Sequence, residues 1–217
     1  MNPAVIFDLD GTLVDSLPLV YDSFRHGVAP YRDLPDDEEI EKGLCGPVEK
    51  NLTRLLNSDS ELVPAARERL VEYAREHQDE VTLYPGAQEL IEELFQEEVI
   101  LGLWTGRDRK SALRILEKFD LKRFFKGIVC GDDLKTHKPD PEGIIWLMEL
   151  FSVTEKAVIY VGDSEHDIQA GKNSGVRTII CENTHQQTIR PDGPLVKSLH
   201  ELKTLLFDLL SEIKTGE

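Results

Sequence analysis

Asp8 and Asp10 stand one residue apart where the apolar run Ala4–Phe7 gives way to Gly11. On a strand, side chains two apart share a side, so both carboxylates would project the same way, with Leu9 opposite. Two close carboxylates repel each other, so the pair calls for a cation. Taken alone, Asp10-Gly11 also fits a strand entering a hairpin turn. A calcium-binding loop fits poorly: it needs glycine sixth and glutamate twelfth, whereas Gly11 is fourth from Asp8 and Leu19 stands twelfth.

Other polar residues follow apolar runs further along. Thr105-Gly106-Arg107 comes after Trp104. Gly131-Asp132-Asp133 comes after Cys130, and His137-Lys138-Pro139-Asp140-Pro141 lies close behind. Gly162-Asp163-Ser164-Glu165-His166-Asp167 comes after Val161. In an open parallel sheet, strand carboxyl ends line the crevice where ligands bind, so four such endings converge on one edge.

The elements required to position these residues are legible. The fully apolar run 4–7 suits a central strand covered on both faces. Residues 17–83 are helical in character, with apolar stripes along 48–56 and 65–75. Breaks at Pro30, Pro35, residues 43–47 and Pro64 divide them into four short helices. Beyond Tyr84-Pro85-Gly86, strands at 99–104, 127–130, 157–161 and 177–181 alternate with helices at 86–98, 111–119, 141–151 and 168–174. A last helix covers 198–213. Asp140 is expected to cap a helix with Pro141 at its first position. This alternation predicts an α/β, doubly wound parallel sheet, with the helical segment inserted after the first strand. The expected organisation is a core of residues 1–16 and 84–217 and a helical cap of 17–83.

With 217 residues the chain has length for one domain with a large insert or for two small ones. A net charge of −16, from 41 acidic and 25 basic residues, argues against nucleic acid or an anionic membrane as partner. Cys45, Cys130 and Cys181 are widely spaced and form no metal-binding pair, and the last two end apolar runs as buried residues do. The sequence has no signal-like N-terminus and no run of transmembrane length, so a reducing cytoplasm is expected.

Together these motifs resemble those of the haloacid dehalogenase superfamily of phosphohydrolases, in the branch with a helical cap after the first motif, which includes phosphoglycolate phosphatases. The first motif matches residues 8–16, the second Thr105, the third Lys138 in His-Lys-Pro-Asp-Pro, and the fourth residues 162–167. The resemblance implies a Rossmann-like core and a phosphatase acting on a small phosphorylated metabolite. Asp8 would be the nucleophile that forms an aspartyl phosphate, and Asp10 the acid and base. Mg2+ would be held by Asp8, the Asp10 carbonyl and Asp163, with Asp167 in support. Thr105 and Gly106 would bind phosphate. Lys138 would stabilise transition-state charge. That charge is needed, because one pair of unit charges about 4 Å apart costs roughly 4 kcal/mol at an effective dielectric near 20.

The second motif departs from relatives that follow Thr or Ser with Asn. Here Arg107 meets either the substrate's second acidic group or Asp108 at an exposed helix start. Thr12 reads as structural, His166 as a surface histidine, and Glu182 and His185 as rim residues. The cap is expected to close as a lid, with the loop 43–48 and nearby Lys50 and Arg54 as its substrate contacts or as a solvated face. Asp10 separates the chain from dehalogenases and phosphonatases, and Gly11-Thr12 from the Gly-Val of β-phosphoglucomutase-like relatives. A phosphomutase, and a non-catalytic phospho-aspartate signalling module, are the alternatives. The expected partner is a phosphorylated metabolite, with the chain a monomer or homodimer.

Overall fold

The four residues Ala4–Phe7 form strand β1, buried along its whole length. A computed structural model describes residues 2–44, 47–183 and 193–215. Cys45 and Gly46 of the expected cap loop, and His185, lie outside them. The described chain divides into two compact units, residues 1–15 with 82–217, and residues 16–81.

In chain order after β1 come β2 (Val14–Asp15), α1 (Leu17–Val28), α2 (Asp37–Glu41), α3 (Val48–Leu55), α4 (Val63–Glu76) and β3 (Thr82–Leu83). Then follow α5 (Ala87–Gln96), β4 (Ile100–Trp104), α6 (Arg109–Lys118), β5 (Gly127–Val129) and α7 (Glu142–Phe151). The chain continues through β6 (Val158–Gly162), α8 (Glu165–Ser174), β7 (Arg177–Cys181), β8 (Leu195–Val196) and α9 (Leu199–Thr215).

Among the described residues of the first unit, six strands form one sheet in the order β5-β4-β1-β6-β7-β8, and every pairing is parallel. The doubly wound expectation holds. β1 lies in the middle, with Phe7 level with Leu103 of β4 and Val161 of β6. That register brings Asp8, Thr105 and Asp163 out at the same edge. Ala4 and Ile6 pack with Ile144, Leu147 and Phe151 of α7 and Ala170 of α8 on one face. Val5 and Phe7 alternate to the opposite face, where α5 packs on β4 and against α9.

Local differences from expectation have local causes. β2 and β3 pair antiparallel, Val14 with Leu83 and Asp15 with Thr82, where the chain leaves and re-enters this unit. Two residues are too few to carry a strand periodicity, so neither was foreseen, nor was β8. Helix α7 starts at Glu142 rather than Pro141, yet the Asp140 carboxylate still accepts the Glu142 N–H at 3.0 Å. Helix α8 starts at Glu165 rather than Ile168, because Ser164 and Asp167 form a reciprocal capping box. The expected strand to Cys130 stops at Val129. Cys130 and Cys181 are buried free thiols, each pushed up to about 12 chiefly by burial.

The second unit holds α1 to α4 around its own core of Tyr21, Phe24, Val28, Ile40, Leu52, Leu55, Leu56, Val63, Ala66 and Leu70. Helices α1 and α4 cross closely at Gly27, where a Cβ would come within 2.8 Å of the Ala66 carbonyl oxygen. Lys50 is exposed. Arg54 is not a merely solvated cation, since it donates to Asn51 Oδ1 at 2.7 Å and to the Glu39 carbonyl. No helix among the described residues is long and apolar enough to cross a membrane.

Candidate active site

Asp8 follows β1, and its backbone N–H continues the ladder to the Val161 carbonyl at 2.8 Å. The residue is 7% exposed. Against it stands Lys138 from the loop between β5 and α7, whose Nζ lies 2.5 Å from Asp8 Oδ1 and 2.8 Å from Asp167 Oδ1. The same ammonium sits over the rings of Trp104 and Tyr160, at 5.1 and 5.7 Å from their centroids. Both contacts favour the charged amine. Burial works to lower the Lys138 pKa, but the Asp167 and Asp8 carboxylates outweigh it and hold the lysine above its usual range.

Asp167 occupies the third position of α8. Its Oδ1 accepts from the Tyr160 hydroxyl at 2.5 Å as well as from Lys138, and its Oδ2 accepts from Ser164 Oγ at 2.5 Å and Ser164 N–H at 3.0 Å. Burial pushes this carboxyl up, yet Lys138 and these donors bring it below the usual carboxylate range. It is ionised and already well hydrogen-bonded.

Asp163 is in the opposite position. Among the described residues no donor meets its carboxylate, and Gly11 has φ +79° where a Cβ would fall 1.9 Å from Asp163 Oδ2. The glycine of the first motif is therefore required twice, by its left-handed backbone and by the carboxylate pressed against it. Carboxylate oxygens of Asp8, Asp163 and Asp167 lie within 4.8 Å of one another. Burial first, then the neighbouring carboxylates, raise Asp163 to about 8. Burial likewise raises Asp8 to about 7, against the pull of Lys138. The cluster holds more negative charge than Lys138 neutralises, and its donors are all hard oxygens, which fits Mg2+. A divalent cation among them would restore both carboxyls to the ionised state.

Asp10 has a partner that the sequence did not assign to it. Its carboxylate is outside that cluster and is gripped by Arg107 in a two-pronged pair, with Nε 2.7 Å from Oδ2 and Nη2 2.6 Å from Oδ1. The remaining Nη1 donates to the buried Ser111 Oγ at 3.1 Å. Arg107 is thus neither an exposed helix-start residue nor Asp108's partner: its side chain is 17% exposed, and Asp108 caps α6 by accepting the Ser111 N–H at 3.0 Å. Burial acts to lower the guanidinium, and the bonds to Asp10 raise it.

Thr105 is buried, with its N–H on the Val129 carbonyl at 3.0 Å. Its Oγ1 accepts the Arg107 N–H at 3.2 Å, which leaves the hydroxyl proton to donate elsewhere. Gly106 is exposed, and a Cβ there would meet nothing within 4 Å. Asp132 and Asp133 do not join the site. They hold Arg109, with Asp132 Oδ1 on its N–H at 2.8 Å and Asp133 Oδ1 on its Nε at 2.7 Å. Glu165 and His166 are exposed. Asn183, unremarked in the sequence, donates to the carbonyls of Gly11 and Thr12 at 3.1 and 2.9 Å and braces the turn after Asp10. Tyr160 was also missed, although a tyrosine in an otherwise aliphatic buried strand signals a hydroxyl that must find a partner.

A family model described as haloacid dehalogenase-like hydrolase matches residues 5–181. The pyrophosphatase PpaX of Listeria innocua serovar 6a is 30% identical over 226 residues, covering 98% of this chain and 97% of that protein. Among solved structures, a putative phosphatase from Clostridium difficile matches with a TM-score of 0.82 at 25% identity, covering 94% of this chain and 98% of the other. A putative β-phosphoglucomutase from Thermotoga maritima matches with a TM-score of 0.79 at 25% identity, covering 96% and 99%.

Proposed function

This chain belongs to the haloacid dehalogenase-like hydrolases, and from that premise we propose that it is a Mg2+-dependent phosphatase working through an aspartyl phosphate on Asp8. Its substrate is a small phosphorylated molecule, of the phosphoglycolate, sugar phosphate or, as the PpaX name suggests, pyrophosphate kind. The observation that carries the reading is the buried Asp8 carboxylate with Lys138 Nζ at 2.5 Å and two further carboxylates beside it. That arrangement is costly to bury and serves no evident structural purpose at a strand end.

An oxygen of Asp8 attacks phosphorus as the bond to the leaving oxygen breaks, and Asp10, which first parts from Arg107 and takes up a proton from solvent, gives that proton to the leaving oxygen. Water then attacks the phosphorus of the aspartyl phosphate, the bond to Asp8 breaks, and Asp10 takes the water proton. Lys138, held between Asp8 and Asp167, meets charge spreading over the phosphoryl oxygens. The free proton of Thr105 Oγ1 and the Gly106 N–H donate to the same oxygens. Asp8, the Asp10 carbonyl and Asp163, with Asp167 behind, would hold Mg2+, which when bound would supply further positive charge there.

The test is phosphate release from p-nitrophenyl phosphate, pyrophosphate and a panel of phosphorylated metabolites. Release is expected with Mg2+ and none with EDTA. Failure to release phosphate from every compound with Mg2+ would sink the phosphatase reading. A phosphomutase would instead return a phosphorylated isomer when given a sugar phosphate.

A further inference from the structure

We infer that Arg107 is a specificity-determining residue that selects substrates carrying a second anionic group beside the leaving oxygen, and that binding this group draws its guanidinium off Asp10. The inference rests on the phosphatase reading and extends it to a substrate class.

The geometry sets up an exchange. Nε and Nη2 of Arg107 point N–H groups at both oxygens of Asp10, at 2.7 and 2.6 Å. An oxygen facing such a donor does not present an O–H in the same direction, so the fork stands where Asp10 must address the leaving group. The pair has to open, and only the side chain is free to do it. The Arg107 backbone is pinned, its N–H on Thr105 Oγ1 at 3.2 Å and its carbonyl accepting the Gly131 N–H at 2.7 Å. The guanidinium keeps one tether, Nη1 to the buried Ser111 Oγ at 3.1 Å. The guanidinium is not sealed in, since the Arg107 side chain keeps 17% of its surface exposed.

A guanidinium fork matches carboxylate and phosphate equally well. A second phosphate or carboxylate on the leaving side would therefore offer Arg107 a replacement for Asp10, reached by rotation about the side chain. The exchange conserves the cation's hydrogen bonds and frees Asp10 at the moment the leaving group arrives. A monoester with an uncharged leaving group gives Arg107 nothing in return, so Asp10 must break the pair uncompensated. Only the order of contacts is inferred; the bonds made and broken are those of the hydrolysis above.

The test compares kcat/KM for three substrates in the wild type, Arg107→Gln and Arg107→Lys, all with Mg2+. Pyrophosphate carries a second phosphate, 2-phosphoglycolate a carboxylate, and p-nitrophenyl phosphate neither. In Arg107→Gln the preference for the better two-anion substrate over p-nitrophenyl phosphate should fall roughly tenfold or more, the scale of a lost charge-assisted hydrogen bond. Arg107→Lys, a point charge without the fork, should keep part of that preference. Which two-anion substrate loses more identifies the second group as phosphate or carboxylate. A preference that falls less than tenfold, with all substrates slowed alike, would overturn the inference and leave Arg107 as a brace for Asp10. Methylene diphosphonate, which is not hydrolysed, reads the contact without turnover. With Mg2+ it should raise the wild-type melting temperature more than that of Arg107→Gln, and equal shifts count against the inference. Absence of turnover by the wild type on all three substrates bears instead on the phosphatase reading.

Discussion

Stripped of divalent cations, the folded chain should lose stability as pH rises from 5 to 7, and Asp163→Asn should remove much of that loss. Burial, then Asp8 and Asp167, raise the Asp163 carboxyl to about 8, whereas in the unfolded chain it titrates near 4. Between those values the folded chain keeps a proton that the unfolded chain has released. Stability therefore falls with rising pH, by about 1.4 kcal/mol per pH unit for one such group. From pH 5 to pH 7 the cost from Asp163 alone is about 3 kcal/mol, or roughly 6–12 °C in melting temperature for a chain of this size. Asp167, held below the usual range, is ionised throughout this window and adds no slope. Melting would be followed in EDTA for wild type and variant across the window. The asparagine never ionises, so the variant's lead over the wild type should widen steadily from pH 5 to pH 7. Mg2+ at pH 7 should then raise the wild type and leave the variant almost unmoved. A difference between the two proteins that does not change with pH would refute the charge argument. Equal Mg2+ responses would refute the role of Asp163 as a ligand.

Asp8→Asn should abolish phosphate release while circular dichroism shows the fold intact, and retention of most activity would point to another nucleophile. Asp10→Asn should slow both the burst and the steady state by about 10² or more, and wild-type rates on every substrate would remove Asp10 from proton transfer. Gly11→Ala should cost about 1–3 kcal/mol through its positive φ and weaken Mg2+ binding by displacing Asp163; calorimetric Mg2+ affinity equal to wild type would contradict that close approach. Tyr160→Phe removes one of the donors to Asp167 and should destabilise by roughly 1 kcal/mol, a melt unchanged within error being the contrary result.

The sheet was legible because its strands are continuous apolar runs. β1 and β6 are buried at every position, and a fully covered strand leaves a pattern that needs no partner to be recognised. Once strand order is known, register follows, and Asp8, Thr105 and Asp163 arrive at one edge. What sequence reasoning misplaced was pairing between side chains. Asp108 is Arg107's neighbour in the chain, but α6 uses its carboxylate as a cap. The arginine then turns to Asp10, 97 residues away. Asp132 and Asp133 were grouped with the site because they follow a strand, yet Arg109, at the start of α6, claims both. Chain order identifies which residues reach the crevice, while competition among donors decides which acid each cation serves.

That competition bears on how an acidic chain would receive the phosphate of the proposed reaction. Four carboxylates, Asp8, Asp10, Asp163 and Asp167, meet two cations, Lys138 and Arg107, leaving two negative charges without partners. Burial makes that excess costly, which is why Asp8 and Asp163 are the groups pushed up, while Asp167 and Asp10 are held by Lys138 and Arg107. One divalent cation would cancel the excess, so an arriving phosphate would meet a neutral site rather than a repelling one. A second anion on the substrate would then compete for Arg107, whose partner, Asp10, is the acid and base of the proposed mechanism. On this view the chain's net charge of −16 is no obstacle to anionic substrates, because local pairing, not overall charge, sets the field at phosphorus.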